Sequence, residues 1–269
     1  MSTILHEIVE HKRGEVAQAQ QAEPLDELKR RAQDTPTPRN FFTALTRPKD
    51  TLRVIAEVKK ASPSAGVIRE DFDPVAIAKA YEAHGAAAIS CLTDEKYFQG
   101  KLDYLTAIKS AVSLPVLRKD FIVDPYQVYE ARAAGADAVL LIAECLTEPL
   151  LIDLLILATE LKLSTLVEVH DLESLIQVRH HIGFPKAQYT LLGINNRNLK
   201  TMTTYLAHTT DVLHEVPDKS ILVSESGIRT HEDVQRLAEH GVHRVLVGEH
   251  LMKQPDPGQA LAELIGNET

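Results

Sequence analysis

Cysteine is scarce in this chain of 269 residues: only Cys91 and Cys145. Two thiols supply neither a disulfide framework nor a zinc spacing. Both sit inside apolar runs, where a free thiol behaves as a small hydrophobe, so both are expected in the core. No uncharged apolar stretch reaches the ~18 residues of a membrane span. Met1 to Glu7 lack the long apolar centre of a secretory signal, which makes a cytoplasmic protein the expectation. A basic cluster is missing too. With 29 Lys and Arg against 38 Asp and Glu the net charge is −9, which argues against a nucleic-acid partner. An acidic surplus of this size otherwise bears only on solubility. The 12 histidines show no H-E-x-x-H or other zinc spacing, so no metal is expected. His180-His181 falls late in a helical segment, where solvent is the default neighbour.

What the chain does have is a repeat. Residues 1 to 48 read as two or three short helices, with Ile4, Ile8 and Val9 at helical spacing and Leu25, Leu28, Phe41, Phe42 and Leu45 further on. From Arg53 eight short apolar runs follow: Val54–Val58, Ala87–Leu92, Pro115–Leu117, Ala138–Ile142, Ser164–Val169, Leu191–Ile194, Ile221–Val223 and Arg244–Val247. Near-continuous apolar runs suit parallel strands buried on both faces. Helical segments separate most of them. Asp73-Pro74 and Asp124-Pro125 read as an N-cap acid before a first-turn proline. Gly85, Gly135 and Gly241 read as left-handed helix stops. The first two stops are 50 residues apart, or two units of about 25, and the next interval of 106 is four units of about 26. That is the size of a strand–helix module, and eight in succession predict a closed α/β barrel of the (β/α)8 or TIM type. One domain spans 1–269, with 1–48 an N-terminal helical extension and 49–269 the barrel. An open doubly wound sheet is disfavoured, because the turn from Lys59 to Gly66 lacks a G-x-G-x-x-G fingerprint.

Sites on such a barrel lie at the C-terminal strand ends. Five ends here carry polar groups: Glu57 and Lys59, then Arg118-Lys119-Asp120, Glu168, Asn195-Asn196-Arg197, and Ser224-Glu225-Ser226. Glu57 and Lys59 are two apart, so both face one side of their strand, toward the barrel mouth. Val54, Ala56 and Val58 then pack on the helices. Glu168 stands alone between Val167 and Val169, and a lone acid in a buried strand is costly unless paired or functional. A closed ion-pair network that merely stiffens the barrel explains one such end more readily than five. Mixed carboxylates and lysines move one another's pKa in opposite directions, which separates acid from base roles. After the seventh run come Ser226 and Gly227, and after the eighth Gly248 and Glu249. Loops in these places commonly hold phosphate. Glycine permits close backbone approach, and Glu249 would have to point away and offer its N–H.

The strings themselves then resemble a known family. Ile55 to Ser64, Leu92 to Gly100, Pro115 to Phe121, Val167 to His170, Gly193 to Leu199 and Ser224 to Ile228 are similar to the signatures of indole-3-glycerol-phosphate synthase. The likeness covers essentially the whole chain. It implies a carboxy-lyase of tryptophan biosynthesis that uses no cofactor or metal. The substrate would be 1-(2-carboxyphenylamino)-1-deoxyribulose 5-phosphate, closed to indole-3-glycerol phosphate with loss of carbon dioxide and water. The resemblance implies Lys119 as general acid at the ketone oxygen and Glu168 as a later base or charge stabiliser. Lys59, oriented by Glu57, would be a second acid or a phosphate contact. Asn195, Glu225 and Ser226 would position the substrate, Ser62 and Arg197 would line the anthranilate end, and Gly227, Gly248 and Glu249 would bind phosphate.

Two positions depart from the family pattern: Lys101, where Ser is commoner, and Glu249, where some members carry a hydroxyl. The chemistry wants the same residue types independently. Addition of an aromatic carbon to a ketone needs a proton donor at the developing alkoxide. A phosphoribosylanthranilate isomerase-like barrel would want a cysteine where Glu57 stands. A non-catalytic phosphate-binding barrel would bind the substrate without turnover. The chain reads as monofunctional and as a monomer, with a weak homodimer as the alternative, and neither nucleic acid nor membrane is expected as a partner.

Overall fold

A computed structural model describes residues 3–199 and 201–267. Eight parallel strands close a barrel: β1 (Arg53–Val58), β2 (Ala88–Leu92), β3 (Val116–Lys119), β4 (Ala138–Ile142), β5 (Ser164–Val169), β6 (Thr190–Asn195), β7 (Leu222–Glu225) and β8 (Arg244–Val247). Closure is direct, because β1 pairs with β2 on one side and with β8 on the other, Arg53 facing Arg244 and Ala56 facing Val247. The expected runs and the observed strands agree within two residues at each C-terminal end. An antiparallel pair, Ala61–Ser62 with Gly66–Val67, was not foreseen; it folds the first loop back on itself.

Local chemistry explains the boundaries. Asp73 and Asp124 accept backbone N–H groups at the starts of the helices Pro74–Ala83 and Pro125–Ala133, and Asp256 does the same before Pro257. Gly85, Gly135 and Gly241 take φ of 92°, 92° and 83°, the left-handed conformation that ends a helix cheaply only at glycine. The helix after β6 is the weak one. Short turns around His208–Asp211 and Leu213–Glu215 replace a full crossover helix.

Alternation sorts the strand side chains into two cores. Val54, Ala56, Val58, Val167, Val169 and Ile194 pack outward against the helices. Ile55, Leu117, Leu140, Leu166, Leu191, Val223 and Leu246 fill the barrel interior. Cys91 and Cys145 are free and buried, as expected. His181 departs from expectation: the preceding helix ends at Val178, and the ring bonds Glu148 at 2.9 Å rather than facing solvent. Among the described residues no helix is long and apolar enough to cross a membrane.

Three helices precede β1. In α1 (Thr3–Ala22) Leu5 and Val9 pack with the interior core, so the helix reaches the barrel mouth. Along the flank, α2 (Leu25–Asp34) buries Leu28 with Val16 and Tyr126. At the base, α3 (Phe41–Thr46) buries Phe41 and Leu45, and the Leu45 carbonyl accepts from buried Arg244. Lys12 fastens α1 in place. Its ammonium lies 2.9 Å from Asp94 and 3.0 Å from Asp120, almost out of solvent. Burial alone would depress its pKa, but the two carboxylates and Glu15 outweigh that and raise it. Truncating one partner of a buried ion cluster typically costs about 3–5 kcal/mol, so Lys12→Met should lose that much in urea unfolding at pH 7. A loss within the surface-pair range would show that α1 is held by its apolar face alone.

Candidate active site

Barrel interiors are filled in layers of four side chains from alternate strands. At the C-terminal end one layer is charged: Glu57 from β1, Lys119 from β3, Glu168 from β5 and Glu225 from β7. Two residues earlier the same strands place Ile55, Leu117, Leu166 and Val223, all apolar and fully buried. The three carboxylates are themselves only 1–4% exposed. Glycine makes room for one of them. A Cβ on Gly193 of β6 would lie 2.2 Å from Glu225 Oε1 and 3.3 Å from Leu166 Cδ1.

Lys119 is the hub. Its Nζ lies 2.7 Å from Glu168 Oε2 and 3.3 Å from Glu225 Oε2. Burial opposes its charge, but Glu168, Glu225 and Glu57 together outweigh that and hold the ammonium protonated well above the usual lysine range. Glu57 bonds Lys59 at 2.6 Å and accepts a longer bond from Ser90. Burial would raise its pKa, yet Lys59 and Lys119 bring it below the usual value. Arg118 and Asp120, neighbours of Lys119 in sequence, point the other way. They belong to the outer network with Lys12, Thr93 and Glu130. The polar end of β3 is therefore two things: one side chain facing the barrel mouth and two that brace its wall.

Two cavities meet over this layer. One of about 140 Å³ has mostly apolar walls, among them Ile4, Ile8, Phe98, Phe121, Leu199 and Met202, with Glu57, Lys119, Glu168, Asn195 and Glu225 at its floor. The other, of about 310 Å³, is polar and lined by Thr204, Ser226, Gly227, Arg229, Gly248, Glu249 and Lys253. Glu57, Lys59, Arg197 and Ser226 border both. Arg197 spans the junction, giving bonds to Ser64 at 2.6 Å and Glu249 at 2.9 Å. The Glu249 carboxylate pairs with Arg197 and Lys253, which line the same polar cavity, and despite partial burial those hydrogen bonds hold its pKa at about 2.

The backbone between the cavities is constrained. Ser226 has φ of 69°, a left-handed conformation unfavourable for a residue with a Cβ, and Gly227 follows at 84°. Asn196 holds this turn, donating to the Ser226 carbonyl at 3.0 Å and to Ser224 while accepting from Thr209.

Of the residues named from sequence, Glu57, Lys59, Lys119, Glu168, Asn195, Arg197, Glu225 and Ser226 line the apolar cavity, and Gly227, Gly248 and Glu249 line the polar one. Ser62 lines neither. It is buried, and its hydroxyl accepts the Ala65 N–H within the first loop. Lys101 is exposed beside the helix Leu102–Ala111, outside both cavities. Ile4, Leu5 and Ile8 also line the apolar cavity, and no local signal in the sequence says that α1 reaches the mouth. Arg229 and Lys253 in the polar cavity, and His170 with Glu144 behind the layer, likewise carry no local signal of a role.

His170 stands behind Glu168, its Nε2 3.1 Å from Glu168 Oε1 and its Nδ1 3.1 Å from Glu144 Oε2. Burial would favour the neutral ring, but the two carboxylates prevail and raise its pKa to about 10. Raised in the folded protein above an ordinary 6.5, this group stabilises the fold fully below pH 6.5 and loses that contribution as pH climbs through 10. Urea midpoints of wild type and His170→Gln should thus lie far apart at pH 6 and approach each other by pH 10. A constant gap would mean that the ring is neutral.

Comparison with known proteins adds the following. A family model described as indole-3-glycerol phosphate synthase matches residues 5–264. The indole-3-glycerol phosphate synthase of Rhodopirellula baltica is 52% identical over 254 residues, 94% of this chain and 95% of that one. That of Rhodospirillum rubrum is 48% identical over 268 residues, 99% of this chain and all of that one. Among solved structures, 3-hexulose-6-phosphate synthase from Salmonella typhimurium superposes with a TM-score of 0.60 at 15% identity, over 80% of this chain and 97% of that one. The last likeness concerns the barrel alone.

Proposed function

The chain belongs to the indole-3-glycerol phosphate synthase family, and on that premise we propose how its residues divide the reaction. The activity is that of a carboxy-lyase of tryptophan biosynthesis, which closes an indole ring on a phosphorylated substrate. The observation that carries the assignment is the charged layer set between an apolar and a polar cavity. The anthranilate ring of 1-(2-carboxyphenylamino)-1-deoxyribulose 5-phosphate enters the apolar cavity, and the phosphate enters the polar one. Pinning both ends bends the chain between them, so that the ring carbon bearing the carboxylate approaches the ketone.

In ring closure that carbon attacks the ketone carbon, and Lys119 gives a proton to the oxygen as the C–O π bond breaks. An ammonium held at high pKa still suits this step, because the developing alkoxide is more basic. Carbon dioxide then leaves with its bonding pair returned to the ring, which restores aromaticity without an electron-sink cofactor. In the last step Glu168 takes a proton from the carbon beside the new alcohol. The electron pair forms the double bond, and the hydroxyl leaves as water with a proton from Lys59, which Glu57 orients. Asn195, Glu225 and Ser226 position the sugar, Arg197 with the Ser62 loop borders the ring end, and Gly227, Gly248 and Glu249 present backbone to phosphate.

The setting proposed is cytoplasmic and monomeric, with a weak homodimer as the alternative. The deciding experiment follows absorbance and fluorescence as purified protein meets the carboxyphenylamino sugar phosphate. Indole product with release of carbon dioxide is expected. Binding without turnover would leave a phosphate-binding barrel. Inorganic phosphate should compete with the substrate, and in soaked crystals should lie against Gly227 and Gly248 with Lys59 near. Non-competitive inhibition would move the phosphate site elsewhere.

A further inference from the structure

The reaction scheme leaves His170 and Glu144 unused, although both are spent on one catalytic carboxylate. Each ring nitrogen of His170 faces a carboxylate oxygen, at 3.1 Å in both cases. A neutral imidazole has one donor and one acceptor nitrogen, so with both glutamates ionised this arrangement calls for the doubly protonated ring. Glu144 also accepts the His170 backbone N–H at 2.8 Å, which pins ring and main chain to the same carboxylate. The ring therefore cannot swing away from Glu168.

Glu168 thus meets two cations, His170 through Oε1 and Lys119 through Oε2 at 2.7 Å. Glu225 meets Lys119 alone, at the longer 3.3 Å, and its Oε1 has no hydrogen-bond partner among the described residues. The two glutamates share the Lys119 ammonium in a layer almost closed to solvent, where ionising both is costly, so a proton on one of them relieves the pair. We propose that His170, backed by Glu144, is the positioning residue that allots this proton: it keeps Glu168 as the carboxylate and leaves Glu225 as the neutral acid.

The electrostatics run the same way. Burial penalises ionisation of both glutamates, but Lys119 and the His170 hydrogen bond bring Glu168 well below the ordinary value, while burial and the neighbouring Glu168 charge push Glu225 well above it. Without the His170 charge only the shorter contact with Lys119 would favour ionisation of Glu168 over Glu225. Other titratable groups around the ring do not replace it. Asp171, next in the chain, caps the helix Leu172–Val178, and burial shifts His208 toward its neutral form. The division has a chemical use. An ionised Glu168 can take the carbon-bound proton in the elimination, and a protonated Glu225 can donate a hydrogen bond to a substrate oxygen.

This inference rests on the proposed role of Glu168 as the base, and the test separates the two. Turnover is measured against pH for wild type and for His170→Gln, Glu144→Gln and Glu168→Gln, with melting temperatures alongside. In wild type the acid limb should lie below the ordinary glutamate range. In His170→Gln it should move up by about one pH unit or more, as expected when an opposite charge is withdrawn from a buried carboxylate, with the plateau largely kept. Glu144→Gln should move it the same way by less, and it remains informative if His170→Gln fails to fold. A limb left in place in a folded variant, with only the melting temperature lowered, would overturn the role of His170. Near-normal turnover in Glu168→Gln would instead overturn the base assignment beneath it.

Discussion

Lys119→Met should reduce turnover on the order of 10²–10⁴-fold, the usual worth of a positioned general acid, with a far smaller change in substrate affinity. The methionine keeps most of the stem volume and removes the ammonium that lies 2.7 Å from Glu168 and 3.3 Å from Glu225. The ends of the substrate keep their anchors, because the apolar walls and the Gly227–Gly248 region are untouched. Stability should fall as well, since two buried glutamates lose their shared cation. His170 still neutralises Glu168, and Glu225 is the neutral member of the pair, so a folded protein is expected. Rate and melting temperature must therefore be read on the same preparation. A folded Lys119→Met enzyme with near-normal turnover would mean that the ion cluster is structural and that the ketone oxygen takes its proton elsewhere.

Gly248→Val should damage both binding and turnover. From sequence the residue was a glycine that lets phosphate approach the backbone, which predicts a raised Michaelis constant. The fold adds a second demand. A Cβ at this position would sit 2.4 Å from Glu57 Oε1 and 2.9 Å from Glu57 Cβ, so the carboxylate that orients Lys59 must move. A displacement of about an ångström near the chemistry can cost on the order of 10²-fold in rate, and turnover should fall by that much beside the weakened binding. A raised Michaelis constant with unchanged turnover would confine Gly248 to the phosphate. Normal values of both would remove it from the site.

Much of this was legible along the chain because it depends on neighbours in sequence. The helix stops at Gly85, Gly135 and Gly241 and the caps at Asp73 and Asp124 are local, and their spacing set the module length. Two-residue alternation put Glu57 on the opposite face from Val58 without any knowledge of the partner strands. Asn195 and Arg197 could be picked out because polar residues had no packing reason to end an apolar run. The antiparallel pair Ala61–Ser62 with Gly66–Val67 was not legible, because two-residue strands leave no periodic signal.

The sequence by itself determined the eight modules, the strand faces and the set of charged residues delivered to one end of the barrel. Only the tertiary structure decided how those charges combine. Arg118, Lys119 and Asp120 look equivalent in the chain, yet closure of the barrel turns Lys119 toward Glu168 and sends its two neighbours to Lys12 and Glu130. The same closure brings α1 over the mouth and sets His170 between Glu168 and Glu144, at sequence separations of 2 and 26. Which carboxylate holds a proton depends on distances of a few ångströms in a desolvated interior. Such distances belong to the packing of separate strands, and no stretch of sequence carries them.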